Sequence, residues 1–141
     1  MTPLRFAFIR QPGPAALRGL EGLYRAAGWW GPGDTRRGLR SLVAGSHRFL
    51  AARAGGRLAG MGRAISDGVS DAYIQDLFVM PEWRGRGVGA QLVRRLTRRL
   101  RADGVGWIGL VAVPGAEAFY TRLGFRRMAG HRAMLWGGPR R

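Results

Sequence analysis

Apolar residues alternate with polar or small ones in several short runs of the chain, and a spacing of two is typical of β-strands. Leu4, Phe6 and Phe8 predict a first strand over residues 4–9. Two glycines at positions 55 and 56 separate two later runs and are typical of a two-residue hairpin turn. Further strands are predicted over residues 48–54, 57–65, 72–80, 107–113, 125–128 and 133–136.

Apolar residues three and four positions apart predict helices between these strands. Gly28 is expected to end the first helix, and Asp34 is expected to cap the start of the second. The apolar faces are formed by Leu17, Leu20, Leu23 and Tyr24 in the first helix, by Leu39, Leu42 and Val43 in the second, and by Val88, Leu92, Val93, Leu96 and Leu100 in the third. A fourth, short helix is predicted over residues 116–123.

The order of these elements is strand, two helices, three strands, helix, strand, helix and terminal strands. It predicts a fold of the α/β (α+β) class, with a mixed, mostly antiparallel central sheet and helices on both faces. The chain has 141 residues, of which 46% are apolar. That size fits a single domain over residues 1–141 that can bury a core without disulfides.

Composition excludes several kinds of chemistry. There is no Cys, and the two histidines are His47 and His131. The sequence therefore offers no disulfide framework, no cysteine nucleophile and no His-rich metal site, and we expect no metal. The apolar run at residues 6–9 is followed by Arg10 and is too short for a signal peptide. Because no stretch approaches about 18 uncharged apolar residues, we expect a cytoplasmic protein without a membrane partner.

The charge raises the question of a polyanionic partner. All 24 basic residues are arginines, and with 8 acidic residues they give a formal net charge of +16. The arginines are spread over every segment, which favours the compositional bias of a GC-rich genome as their origin. The densest group, at residues 94–101, falls on the polar side of a predicted helix and is expected to be a solvated face. We expect no specific nucleic-acid partner, and a nucleic-acid-associated basic protein stays as an alternative.

A glycine-rich segment lies between the predicted strand at 72–80 and the third helix. Unpaired backbone N–H groups and the positive end of the helix dipole attract phosphate at such a place. The spacing of Gly85, Gly87 and Ala90 also fits the dinucleotide-binding fingerprint. Residues 81–84 intervene after the strand, however, and the next strand ends without an acid, which counts against a Rossmann domain.

Two motifs in order give the chain a resemblance to a known superfamily. The stretch AYIQDLFVMPEWRGRGVGAQLVRRL resembles the cofactor motif of the GNAT N-acetyltransferases, with its pattern at Arg84, Gly87 and Gly89. The sequence FYTRLGF at residues 119–125 resembles their second motif. The wider likeness is to small arylalkylamine and serotonin-type members. The resemblance implies a GNAT-like three-layer fold and acetyl-CoA as cosubstrate.

The resemblance also implies a role for each matching position. Backbone groups of Leu77, Phe78 and Val79 would pair with the pantetheine arm of acetyl-CoA. Tyr120 would be the general acid, because a phenol with a pKa of about 10 is protonated at neutral pH and can give its proton to the departing thiolate. N–H groups from Gly85 to Ala90 would hold the pyrophosphate. The cofactor-binding residues of the loop would be Arg84, Gly85, Arg86, Gly87, Val88, Gly89 and Ala90.

The acceptor side departs from the family pattern. Gln75 stands where several relatives carry Glu or His, and an amide is no useful base, so the base is unassigned and proton removal through water would suffice. Tyr73 is expected to line the acceptor pocket with Gln75, whereas Asp76 should point to the opposite face as a structural residue. Trp29 and Trp30 are candidates for contact with the acceptor, with packing as the alternative.

The prediction that follows is an N-acetyltransferase that moves acetyl directly to a primary amine of a small molecule or peptide. Four of the eight acids, Asp67, Asp71, Asp76 and Glu82, precede the glycine loop and would favour a cationic amine, unless they cap turns and pair with arginines. An acyl-CoA-binding sensor without turnover is the second alternative, favoured by Gln75. A homodimer is left open.

Overall fold

A single five-stranded sheet forms the middle of the molecule. The computed structural model describes residues 2–138. The strands lie side by side in chain order, antiparallel from β1 to β4 and parallel between β4 and β5. Their bounds are Leu4–Phe8 for β1, Arg48–Ala54 for β2, Arg57–Ser66 for β3, Asp71–Val79 for β4 and Trp107–Gly109 for β5. The predicted mixed, mostly antiparallel sheet is confirmed.

Helices cover both faces of the sheet. They are α1 at Pro14–Ala26, α2 at Arg36–Gly45, α3 at Val88–Ala102 and α4 at Glu117–Thr121, with a 3₁₀ turn at Pro81–Trp83. α1 and α2 pack on one face, where Phe49 and Met61 of the sheet are fully buried between them. α3 packs on the other face against Leu50 and Ile74. The two apolar clusters give the three-layer arrangement in which the sheet is buried on both sides.

The ends of the helices follow the expected chemistry with one exception. Gly28 has φ 79°, and Trp29 N donates to Tyr24 O at 2.9 Å, which closes the end of α1 in a Schellman motif. The prediction that Asp34 caps α2 is wrong. Thr35 is the N-cap, and its Oγ1 accepts from Gly38 N at 3.0 Å. Asp34 instead accepts from Gly31 N at 2.7 Å, because it closes the turn that precedes the helix.

A buried carboxylate joins the end of α3 to the start of β2. Asp103, whose side chain is 9% exposed, accepts from Arg48 Nε and Nη2 at 2.8 and 2.7 Å. His47 Nε2 lies 2.9 Å from the same carboxylate, and Arg99 Nε donates at 3.1 Å. These contacts, the Arg48 hydrogen bonds first, hold the pKa of Asp103 well below its usual range despite its burial. Asp103 therefore fastens α3 to the sheet.

The C-terminal third is less regular than its pattern predicts. The strand predicted over 107–113 covers only Trp107–Gly109, and the strands predicted over 125–128 and 133–136 are wrong. An extended apolar run becomes a strand only beside another strand, and β5 is paired along three residues. Leu135 and Trp136 are about 90% exposed as a result. Within residues 2–138, every helix is too short or too polar to cross a bilayer.

Candidate active site

The edge of β4 opens toward the loop that follows it. Pairing with β5 ends where Tyr73 meets Gly109. Among the described residues, the rest of that edge has no strand beside it, although β3 pairs with the other edge as far as Val79. Leu77, Phe78 and Val79 are half-buried there. Val79 O accepts a hydrogen bond from Arg84 Nε at 3.0 Å. Pairing of this open edge with an extended ligand stays a prediction.

The glycine loop gives α3 an accessible N-terminus. Gly85 and Gly87 have φ values of 74° and 77°, and nothing lies within 4 Å of a Cβ built on either of them. Gln91 N donates to Gly87 O at 3.0 Å, and this is the first hydrogen bond of the helix. The N–H groups of residues 87–90 therefore have no helical acceptor. Open space, left-handed glycines and free N–H groups together form a place where an anion can touch the backbone.

The side chains of the two loop arginines, Arg84 and Arg86, contact aromatic rings beside the loop. Arg84 Nε donates to Val79 O at 3.0 Å, and its guanidinium lies 5.4 Å from the centre of the Phe78 ring. Arg86 stacks over Trp83 at 5.0 Å. Arg84 thereby ties the loop back to β4, and both side chains keep positive charge beside the helix N-terminus.

The second motif packs directly on the first. A Cβ at Gly89 would lie 3.3 Å from Cζ of Phe119, so the close approach of α4 to α3 favours a glycine at this position. Tyr120 follows Phe119 and is half-buried, and its ring contacts those of Phe119 and Phe125 at 5.0 and 5.8 Å. Within residues 2–138 its hydroxyl has no hydrogen-bond partner. Burial raises the pKa of Tyr120 above its usual value, so the phenol stays protonated at neutral pH.

A cavity opens where β4 and β5 separate. Its volume is about 260 Å³, and Tyr73, Gln75 and Asp76 line it from β4 while Leu110 and Val111 line it from the other side. Tyr73 and Gln75 are exposed on the same face of β4, as predicted from their spacing. Trp107 packs edge-on against Tyr73 with ring centres 5.4 Å apart. The predicted acceptor-side residues of β4 therefore share one wall.

The tryptophan pair lies apart from that wall. Trp29 is half-buried between Tyr24 and Phe78, with ring centres at 6.2 and 6.0 Å. Trp30 is half-buried under the guanidinium of Arg25 at 5.4 Å. Packing accounts for both contacts. Phe78 connects Trp29 to the cofactor strand, and neither tryptophan lines the cavity between β4 and β5.

Asp76 occupies a β-bulge, which sequence alternation did not predict. Phe78 pairs with Met61 and Gln75 pairs with Arg63. Between these two pairs β4 has two residues, whereas β3 has one. The bulge brings the Asp76 carboxylate to the face of α1, where Tyr24 Oη donates to it at 2.8 Å and Arg63 Nε at 2.7 Å. The expectation that Asp76 points to the face opposite Gln75 is wrong, because the extra residue breaks the two-residue alternation.

The four acids before the loop divide into two kinds. Asp67 accepts from Val69 N and from Ser70 N and Oγ in its own turn, and these hydrogen bonds, those from Ser70 first, lower the pKa of Asp67 to about 2. Asp76 is buried and paired with an arginine. Asp71 and Glu82 are exposed, and both can act on an approaching cation.

Family comparison agrees with this geometry. Residues 35–134 match the model of the acetyltransferase (GNAT) domain. The chain belongs to this family, and the superfamily and three-layer fold predicted from the two motifs are confirmed.

Two curated relatives match 81 and 75 residues of the chain. GCN5-related N-acetyltransferase 2, chloroplastic, of Arabidopsis thaliana is 41% identical over 57% of this chain and 31% of its own length. Serotonin N-acetyltransferase 2, chloroplastic, of Oryza sativa subsp. japonica is 40% identical over 53% of this chain and 38% of its own length. The chain thus spans about a third of these relatives. Both are named as chloroplastic, and a cytoplasmic location for the present protein stays a prediction.

A solved structure has the same fold over nearly the whole chain. AAC(6′)-Iy, in complex with the bisubstrate analogue CoA-S-monomethyl-acetylneamine, superposes with a TM-score of 0.76 over 98% of this chain and 99% of that chain, at 20% identity. At that identity the likeness shows the fold alone.

Proposed function

We propose that the protein is an acetyl-CoA-dependent N-acetyltransferase that transfers acetyl directly to a primary amine of a small molecule or peptide. One observation carries the proposal. The open edge of β4 is followed, after one 3₁₀ turn, by a glycine loop at the N-terminus of α3, so an extended amide arm and a pyrophosphate of one ligand would each meet backbone partners.

The residues present fit acetyl-CoA. The open edge of β4 at Leu77, Phe78 and Val79 would hold the two amides of the pantetheine arm, and residues 85–90 would hold the pyrophosphate through their N–H groups. The space in front of Gly85 and Gly87 leaves room for phosphate oxygens to approach the backbone. The arginine-rich surface adds a general attraction for the phosphates.

The chemistry asks little of side chains beyond proton transfer. Acetyl-CoA supplies an activated thioester. A neutral amine forms the new C–N bond as the C–S bond breaks, and one proton must leave the nitrogen while one reaches the sulfur. The Tyr120 hydroxyl can give the proton to the sulfur, because the phenol is protonated at neutral pH and its hydrogen is not used elsewhere in the described chain. Gln75 cannot act as the base, so water would take the proton from nitrogen.

The acceptor is proposed to be a cationic amine. Asp71 and Glu82 are exposed near the two ends of β4, in a molecule of net charge +16 that would otherwise repel an ammonium group. The arylalkylamine class is supported by the serotonin N-acetyltransferase relative, and the aminoglycoside class by the bisubstrate complex of the similar fold. Tyr73, which packs against Trp107, gives the cavity an aromatic side chain that suits the first class.

The test is release of the CoA thiol in the presence of acetyl-CoA and a panel of amines: arylalkylamines, polyamines, aminoglycosides and peptide N-termini. We expect release above the rate without amine for at least one class. Tyr120→Phe should lower kcat about 100-fold and change the Kd for acetyl-CoA less than threefold, since general acids contribute roughly 10²–10⁴ to a rate.

The control variant for Tyr120→Phe is Phe125→Leu. Phe125→Leu alters the ring packing around Tyr120 without removing the hydroxyl and should keep most of the rate. Acetyl-CoA binding in calorimetry with no turnover of any amine would favour the acyl-CoA sensor, to which Gln75 already points. No binding of acetyl-CoA at all would refute the proposal.

A further inference from the structure

Asp76 has an unusual backbone conformation. Its φ is 54°, a positive value that among residues 2–138 is otherwise confined to glycines. The left-handed conformation is unfavourable for a residue with a Cβ, and it persists where surrounding contacts hold it. A strand does not need it, so the contacts around Asp76 must stabilise it.

Those contacts come from two other elements. Tyr24 of α1 donates to Asp76 Oδ2 at 2.8 Å, and Arg63 of β3 donates to the same oxygen through Nε at 2.7 Å. The side chains of Asp76 and Arg63 are only 4% and 12% exposed. Arg63 is oriented in turn by Ser46 Oγ, 3.4 Å from its Nη1. We name Tyr24, Asp76 and Arg63 the bulge lock.

Within the bulge lock, Asp76 lies between two parts of β4 that have different neighbours. Residues 71–73 pair with β5, whereas Leu77, Phe78 and Val79 border the open edge. A bulge bends its strand and increases the local twist. The conformation at Asp76 therefore sets the direction in which the open edge faces.

We infer that Asp76 is a positioning residue for acetyl-CoA: the bulge lock holds it in the left-handed conformation, and this conformation aims the open edge of β4 at the pantetheine arm. The inference rests on the proposed function and adds two residues, Tyr24 and Arg63, that lie away from the glycine loop. Sequence patterns read Tyr24 as an ordinary core residue.

Three substitutions at Asp76 separate the backbone conformation from the carboxylate. Asp76→Ala and Asp76→Gly both remove the acceptor of the two hydrogen bonds, but only glycine adopts a positive φ without cost. Asp76→Asn keeps an acceptor oxygen, and asparagine tolerates the left-handed region. The Kd for acetyl-CoA is measured by calorimetry on the folded protein of each variant, with the melting temperature recorded separately.

We expect Asp76→Ala to raise the Kd about tenfold, since the left-handed conformation costs alanine about as much as one tenfold change in an equilibrium. Asp76→Asn and Asp76→Gly should stay within about threefold of the wild type. Tyr24→Phe keeps the ring in the core and removes one hydrogen bond, so a rise of about two- to fivefold is expected. This variant also tests the inference if Asp76→Ala does not fold.

Asp103→Asn is the matched control. This substitution also removes the charge of a largely buried carboxylate that is paired with arginine. Asp103, however, lies at the other end of α3, about 22 Å along the helix from the glycine loop. The substitution should lower the melting temperature and leave the Kd unchanged.

The outcomes are distinct. If wild-type protein does not bind acetyl-CoA, the proposed function fails and the inference with it. If the wild type binds but Asp76→Ala and Tyr24→Phe bind equally well, the bulge lock serves folding alone and the inference is overturned. An equal loss of affinity in Asp76→Gly and Asp76→Ala would also overturn it, because the backbone conformation would then not be the cause.

Discussion

Gly87 offers a direct test of the anion-binding loop, because its surroundings separate strain from ligand contact. It is the N-cap of α3 with φ 77°, and no atom lies within 4 Å of a Cβ placed on it. The Cβ of a valine would therefore meet no neighbouring atom in the free protein, and backbone strain would be its main cost. Its isopropyl group would, however, stand in the space in front of the helix N–H groups.

The size of each effect follows from that geometry. Left-handed strain costs a β-branched residue roughly 1–2 kcal/mol. For a chain of this size, that corresponds to a fall in melting temperature of about 5 °C. Loss of two hydrogen bonds to a charged phosphate, at about 1.5–3 kcal/mol each, would raise the Kd for acetyl-CoA at least about 100-fold. The effect on binding thus exceeds the effect on stability.

Gly104→Val is the matched control for this prediction. Gly104 follows α3 at its opposite end with φ 95°, and it too has open space at its Cβ position. Calorimetric titration and thermal melting on both variants should show similar losses of stability, with weak binding only in Gly87→Val. Binding by Gly87→Val within threefold of the wild type would refute the assignment of the loop, as would equal losses of binding in the two variants.

The remaining predictions concern charge and capping. Because the pKa of Asp103 is lower in the folded than in the unfolded protein, its stabilisation is present above the ordinary carboxyl value near 4 and is lost as the pH falls through the folded value. Asp103→Asn should therefore lower the melting temperature at pH 7, and calorimetry should find that the difference from wild type shrinks below about pH 4. Thr35→Ala removes the cap of α2 and should cost about 1 kcal/mol in urea unfolding; no change would show that the cap is dispensable. Asp71→Asn with Glu82→Gln should raise the KM for a cationic amine and not for acetyl-CoA, and unchanged values for both would remove these acids from acceptor binding. Raising salt from low to physiological levels should weaken acetyl-CoA affinity and reduce DNA binding to a negligible level in the same titration, whereas tight duplex binding would favour the nucleic-acid alternative.

The sequence predicted the parts of the fold that depend on local pattern. The hairpin at residues 55–56, the strand at β4 and the apolar face of α3 follow from spacing and turn chemistry alone. The terminal strands failed for the opposite reason. Alternation at residues 133–136 satisfies the requirement for one apolar face, but a strand also needs a neighbouring edge, which no local pattern reports.

The candidate site divides in the same way. The backbone conformation of Gly87 could be predicted, because a left-handed residue at the start of a helix favours glycine whatever surrounds it. The conformation of Asp76 could not be predicted, because its partner Tyr24 lies 52 positions earlier in the chain. A single extra residue in β4 reverses the face assigned by alternation. The pairing of an acid in a strand with a buried tyrosine and an arginine becomes visible only in three dimensions.

The order of the sheet also has a consequence for how the molecule moves. The strands β1 to β4 pair with their neighbours in the chain, and the turn of two residues between β2 and β3 lets that hairpin form within microseconds. β5 pairs with β4 along three residues only, and helix α3 lies between the two strands in the chain. Local opening costs least where few bonds hold an element, so amide hydrogens of Trp107–Gly109 should exchange with solvent before those of the four-stranded meander. The pairing of β4 with β5 is therefore the part of the sheet whose opening costs least.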